Sequence, residues 1–178
     1  MQTRLRNELL KHGSDSTYDQ LANGLPYLDA VVHETLRIHA PIHEATRIVR
    51  LPPFISILVL IRPSQAMEDD VIPLSEPLRT TSGELVENMC VAKGTLLAIP
   101  MASINRSTAI WGEDAKVFRP SRWLEDDHGE NGIPAKAKEV QGHRHLLTFS
   151  DGPRMCLGKN FAVAEFKVRF TLTLGAET

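Results

Sequence analysis

Phe149-Ser-Asp-Gly-Pro-Arg-Met-Cys-Leu-Gly158 places one cysteine, Cys156, between a glycine-proline turn and an apolar stretch of helical spacing. Gly152 and Pro153 suit a tight loop, because glycine accepts φ > 0 and proline fixes φ at little cost. Beyond the cysteine, Leu157, Phe161, Ala164 and Val168 fall at i, i+4, i+7 and i+11, which predicts a helix. A cysteine at a helix N-terminus beside Arg154 sits in positive potential, the setting of a thiolate nucleophile or metal ligand.

A buried structural cysteine in front of a helix is the ordinary fate of a free thiol. The whole stretch argues otherwise, because Phe149, Gly152, Arg154, Cys156 and Gly158 fill every fixed position of F-x-x-G-x-R-x-C-x-G. This pattern resembles the cysteine loop of the cytochrome P-450 haem-thiolate monooxygenases. The resemblance implies that Cys156 is the axial ligand of haem iron, donating electron density that favours O–O cleavage. It further implies that Arg154 contacts a haem propionate and that Phe149 packs beside the sulfur. Gly152 and Gly158 would let the backbone approach the ring and supply N–H donors that tune the thiolate. The implied cofactor is haem b.

Length and composition bound the rest. At 178 residues the chain is long enough for one domain with a real core, and its 42% hydrophobic and 24% charged content is ordinary. A formal net charge of −2 gives no electrostatic footprint for nucleic acid. Cys90 and Cys156 do not resemble a secreted disulfide framework or a C-x-x-C site, which fits a reducing compartment. No signal peptide is legible at Met1-Gln-Thr-Arg-Leu-Arg6. The longest apolar run, Phe54–Ile61, has eight residues. A membrane span needs about twenty, so no transmembrane segment is expected here.

Residues 2–11 read as an amphipathic helix stopped by Gly13, and Thr17–Leu21 as one helical turn. The strongest helix starts with Pro26 at its first position. Leu28, Val31, Val32, Thr35 and Leu36 form its stripe, and Pro41 ends it. On this helix Glu34-Thr-Leu-Arg37 sets a carboxylate and a guanidinium on one face. Alone, that is a common solvated ion pair worth a few tenths of a kcal/mol. The haem-thiolate family, however, carries an E-x-x-R on the helix before its core sheet, with a proline a few residues on and a partner arginine in F-x-P-x-R-[FW]. The positions here are Pro41 and Phe118-Arg-Pro-Ser-Arg122-Trp123. By resemblance Glu34, Arg37 and Arg122 form a buried structural triad that locks the loop leading to Cys156; two arginines can satisfy one carboxylate bidentately.

The middle of the chain is strand-like. Glu84-Leu-Val86 and Ala92–Pro100 suggest a hairpin region with Lys93-Gly94 at its turn, followed by a short helix over Met101–Gly112. Residues 124–142 read as a polar loop. Arg47 falls where the family often has an arginine reaching a haem propionate. His143-x-His145 has metal-ligand spacing but no matching third ligand, so a loop covering the haem edge is the simpler reading. Cys90 reads as a small strand-end hydrophobe. The fold class expected is α+β: mainly helical, a partial cytochrome P-450 fold with a small antiparallel sheet and a cysteine-loop helix, in a single partial domain over residues 1–178.

Three departures from the family pattern bear on function. No [AG]-G-x-[DE]-[TS] proton-delivery motif occurs, and the resemblance covers the C-terminal third of a full member. After Lys167 the text diverges, which predicts a shortened or altered final helix. Finally, family-like sequence breaks off after Ile48 and resumes at Ala66. Val49 requires a codon beginning GT and Gln65 permits one ending AG, so residues 49–65 are read as a translated retained intron; the competing reading is a natural hydrophobic insertion in a surface loop.

The function implied is a haem-dependent monooxygenase-type oxidoreductase that uses thiolate-ligated iron and dioxygen on a small organic substrate, with electrons from a reductase partner. The alternatives are a non-catalytic fragment that keeps the haem-ligand motif, or a haem-thiolate isomerase or dehydratase. Kinship implies the endoplasmic reticulum membrane; the missing anchor implies a cytoplasmic setting for this chain.

Overall fold

A computed structural model describes residues 1–12, 17–47, 64–65, 68–124 and 132–175. Seven α-helices and five strands occur among them: α1 (Gln2–His12), α2 (Tyr18–Asn23), α3 (Pro26–Ile38), β1 (Ala45–Arg47), β2 (Ser64–Gln65), β3 (Asp70–Arg79), β4 (Leu85–Val91), β5 (Leu96–Ile99), α4 (Met101–Asn105), α5 (Thr108–Trp111), α6 (Ala135–Lys138) and α7 (Lys159–Gly175). Short 3-10 turns cover Pro120–Trp123 and Gly152–Arg154. The class is α+β, helical in the main, with small antiparallel sheets. The chain forms two compact units, one of residues 1–43 and 101–178 and one of residues 44–100.

The helical unit is organised around α3. Pro26 opens that helix at a position where a missing N–H costs nothing. Its next two amides, of Tyr27 and Leu28, donate to the Glu8 carboxylate of α1 at 2.9 and 2.8 Å. A carboxylate there satisfies orphan donors and faces the positive end of the helix dipole. Thr17 and Gln20 close a capping box on α2. Leu28, Val31, Val32 and Leu36 of α3 are buried with Leu5, Leu9, Trp111, Ala115, Leu146 and Phe149 in one core. Thr35 sits at its margin and returns its hydroxyl proton to the Val31 carbonyl at 2.8 Å. Burying each Leu or Val of such a core stabilises the fold by about 1.5–3 kcal/mol.

Two expectations for the helices need correction. The Met101–Gly112 region is not one helix but two, α4 and α5, broken at Arg106–Ser107. The final helix, α7, runs for 17 residues to Gly175. Its packed side is also displaced from the anticipated stripe. Ala162, Val163, Phe166 and Phe170 pack on the core, whereas Leu157, Phe161 and Val168 are exposed.

In the other unit β3 and β4 form a two-stranded antiparallel hairpin, turned through Thr80–Gly83 with Gly83 at φ 89°. Pro73 and Pro77 lack amide donors, and the register shifts between Pro73 and Leu78. The Lys93-Gly94 turn therefore does not close a hairpin between residues 84–86 and 92–100. It hands the chain to a second sheet of order β1-β5-β2, where β5 is antiparallel to both neighbours. Turn chemistry marks a reversal but not the strand that receives it. Cys90, on β4, is exposed rather than a packed hydrophobe. The segment 49–65 lies outside the described residues except for Ser64–Gln65, which pair with Leu96 and Leu97. Where the chain leaves and re-enters the helical unit, the Ala102 amide donates to the His43 carbonyl at 3.0 Å.

Candidate functional site

Glu34 lies at the centre of the helical unit and is fully buried, as are Arg37 and Arg122. Its position on α3, three residues before Arg37, lets the guanidinium fork grip the carboxylate. Arg37 Nε donates to Oε2 at 2.9 Å and Nη2 to Oε1 at 2.8 Å. Arg122, from the 3-10 turn, adds Nε to Oε1 at 3.1 Å. The Arg119 amide and the Trp123 indole donate to the same carboxylate at 2.8 and 2.9 Å. Burial pushes the Glu34 pKa up, but the Arg37 bond, the Arg119 amide and the two positive charges outweigh it and hold the carboxyl below its ordinary value.

The arginines have further work. Arg37 Nη1 donates to the carbonyls of Asn105, at 2.8 Å, and Ala115, while Arg122 reaches the Asp114 carboxylate at 3.2 Å. Asn105 is fully buried and carries the network onward. It donates to the Thr148 hydroxyl at 2.9 Å and accepts from the Leu147 amide at 3.3 Å. Thr148 in turn donates to the Leu36 carbonyl at 2.9 Å. The residues just before Phe149 are thus tied back to α3. The sequence reading left Asn105, Thr148 and Trp123 without roles. Asn105 closes α4, and nothing in the sequence marks it as buried; once buried, its amide must find partners.

Phe149 is buried and its carbonyl accepts the Cys156 amide at 2.8 Å, closing the cysteine loop. Within it Gly152 takes φ 69°, a left-handed conformation that favours glycine, and open space surrounds the point where a Cβ would stand. Cys156 is a free, exposed thiol three residues ahead of α7. A Cβ on Gly158 would stand 4.0 Å from its sulfur. Leu157 is fully exposed at 102% and Phe161 is 74% exposed. Large apolar side chains thus flank an accessible thiol. The backbone of Arg154 is in the loop and that of Arg47 in β1, but both side chains lie outside the described residues.

The chain is similar to known proteins along nearly its whole length. The cytochrome P-450 family model matches residues 1–52 and 69–176. The chain belongs to this family. It is 52% identical over 168 residues to cytochrome P-450 monooxygenase claO of Ampulloclitocybe clavipes, covering 93% of this chain and 27% of that protein. Identity to claQ of the same organism is 50% over 175 residues, covering 97% of this chain and 28% of the relative. Cytochrome P-450 monooxygenase 91 of Postia placenta is 36% identical over 182 residues, covering 99% and 29% respectively. The chain therefore spans little more than a quarter of the length of these relatives.

The P-450 family implies a haem-iron cofactor, and the chain's own residues fit one. An exposed thiol held by a closed loop, open space over Gly152 and the exposed Leu157 and Phe161 suit a flat apolar macrocycle with a metal centre. Among the described residues no cluster of three or more His, Cys, Asp or Glu side chains is arranged to hold a metal ion, and His143 instead faces His33. No described helix is long and apolar enough to cross a membrane.

Proposed function

We propose that this chain supplies the haem-thiolate half of a cytochrome P-450 monooxygenase site. Cys156 is its iron ligand, in a single partial haem-thiolate domain. Phe149, Gly152 and Gly158 shape the loop, Arg154 and Arg47 hold the propionates, and Glu34, Arg37 and Arg122 lock the scaffold. The observation that carries the reading is the exposed Cys156 thiol on a loop closed by the Phe149 carbonyl. When bound, haem b supplies an iron centre that activates dioxygen for insertion of one oxygen atom into a small organic substrate. The protein orients the sulfur and fixes the loop against α3. A reductase docking near the cysteine loop is the proposed electron source. A place at the endoplasmic reticulum membrane follows from kinship with the family.

The test is spectroscopic. The chain is reconstituted with haem, reduced and exposed to carbon monoxide. A red-shifted thiolate-type Soret band that disappears in Cys156→Ala supports the reading. Failure to take up haem, or a band that persists in the variant, overturns it in favour of a non-catalytic product.

We also propose that residues 49–65 are inserted relative to the family and come from a retained intron. The family model leaves residues 53–68 unmatched, which supports an insertion at this place. Transcript sequencing tests its origin: a mixed population with and without these codons, bounded by GT and AG, is expected, and codons lacking those ends overturn it.

A further inference from the structure

Beside the triad lies a second cluster that the haem reading does not use. His33, the residue before Glu34, is 2% exposed. Its Nδ1 is 2.8 Å from the Asp29 carbonyl and 3.2 Å from the Asp29 carboxylate, so that nitrogen carries a hydrogen toward two acceptors. Its Nε2 meets Nε2 of His143 at 3.4 Å, a contact that requires a single hydrogen on the line between them. Asp29 also pairs with Lys167 at 2.6 Å and with Arg144 at 3.5 Å. The charged groups facing the imidazoles are thus Asp29 from α3, Lys159 and Lys167 from α7, and Arg144 from the loop.

The rings of this cluster continue in both directions. The Arg37 guanidinium lies 5.1 Å over Trp111, which is 5.9 Å from Trp123. Trp123, a donor to Glu34, is 5.4 Å from His33. His33 is 5.4 Å from His143, and His143 meets Phe149 edge-on at 5.9 Å and 68°. Phe149 carries the carbonyl that holds the Cys156 amide. A row of rings therefore joins the buried charge triad to the cysteine loop.

We propose that the His33–His143 pair is a positioning device that fixes Phe149, and through its carbonyl the Cys156 backbone, against α3. Neither histidine touches the sulfur; both act through Phe149. Burial and the neighbouring His33, Lys159 and Arg144 hold His143 neutral down to about pH 4, so an uncharged ring meets Phe149 edge-on. The purpose of the device rests on the haem-thiolate reading, but its existence is measurable without haem.

The experiment is amide hydrogen exchange on the full haem-free chain, comparing the unaltered protein with His143→Ala and His143→Phe. The alanine variant is expected to lower protection of the Cys156 amide by about three- to tenfold, the factor that an aromatic edge contact amounts to. Protection of the Val32 amide, inside α3, is expected to stay within about twofold because α3 keeps its own packing. His143→Phe keeps a ring against Phe149 and is expected to recover most of the loss. Unchanged Cys156 protection in His143→Ala, equal loss at Val32, no recovery in His143→Phe, or no Cys156 protection in the unaltered chain each overturns the proposal. A failed carbon monoxide assay with normal exchange results would sink the haem reading alone. The reverse combination would sink the positioning role alone.

Discussion

The two ends of the ring row differ sharply. At Glu34 five hydrogen bonds converge among the described residues on one carboxylate, and no part of the triad is exposed. At Cys156 the thiol is accessible and its neighbours Leu157 and Phe161 stand in the open. One region has spent all its bonding capacity inside the chain; the other has kept its capacity for something outside it. A ligand loop needs both, since a free sulfur is useful only if its backbone cannot wander.

The contrast breaks most severely at its closed end. Glu34→Gln leaves the buried Arg37 without its anion and Arg122 with Asp114 alone, and is expected to destabilise the folded chain by about 3–5 kcal/mol. Urea denaturation measures it, and a shift below about 1 kcal/mol would show the triad to be dispensable. Next comes the relay toward the loop. Asn105→Ala strips partners from Thr148 and the Leu147 amide, and a loss of about 1–3 kcal/mol is expected by the same measurement.

Acid attacks the same end with a defined sign. Glu34 and Asp29 both titrate below their ordinary values of 4.5 and 3.8 in the folded chain. Their contribution is present above those ordinary values and is lost as pH falls below them, through the lower values of the folded chain. His143, lowered from 6.5 to about 4, acts earlier. As pH falls from 6.5 to 4 the unfolded chain binds a proton that the folded chain refuses, so stability declines across that window. Denaturation midpoints at pH 7, 5 and 4 are expected to fall stepwise, and His143→Phe to flatten the step above pH 4. The smallest effect belongs to the open end. Phe161→Ser is expected to move the haem-free midpoint by no more than about 0.5 kcal/mol while weakening haem uptake in a Soret titration.

How much of this was legible depended on whether a residue's role is local. The cysteine loop could be read because a turn, a ligand and a helix start lie within ten residues. The α3 helix was legible for the same reason, through Pro26 and its apolar spacing. Glu34, Arg37 and Arg122 were placed together only by resemblance, because nothing in their spacing brings a residue 88 positions away to Glu34. Pairings set by the partner rather than by the segment escaped the reading. Lys93-Gly94 announced a turn, yet β5 hydrogen-bonds to β1 and β2. The α7 stripe gave the helix but not its packed side, since Phe166 and Phe170 offer apolar surface just as Phe161 does. His33 carries no signal of its own in the sequence, because its partner His143 lies 110 positions away.

The hydrogen bond from Ala102 to His43 has a consequence for how this chain tolerates change. It fastens together the two points between which residues 44–100 make their excursion. Glu34 and Arg122 are 88 positions apart, and that whole span must be closed before the triad can form. Closure entropy grows only with the logarithm of length, so adding or deleting seventeen residues inside the excursion alters it by about 0.2 kcal/mol. Evolution or faulty splicing can therefore lengthen the excursion while the Glu34 network keeps the same closing cost.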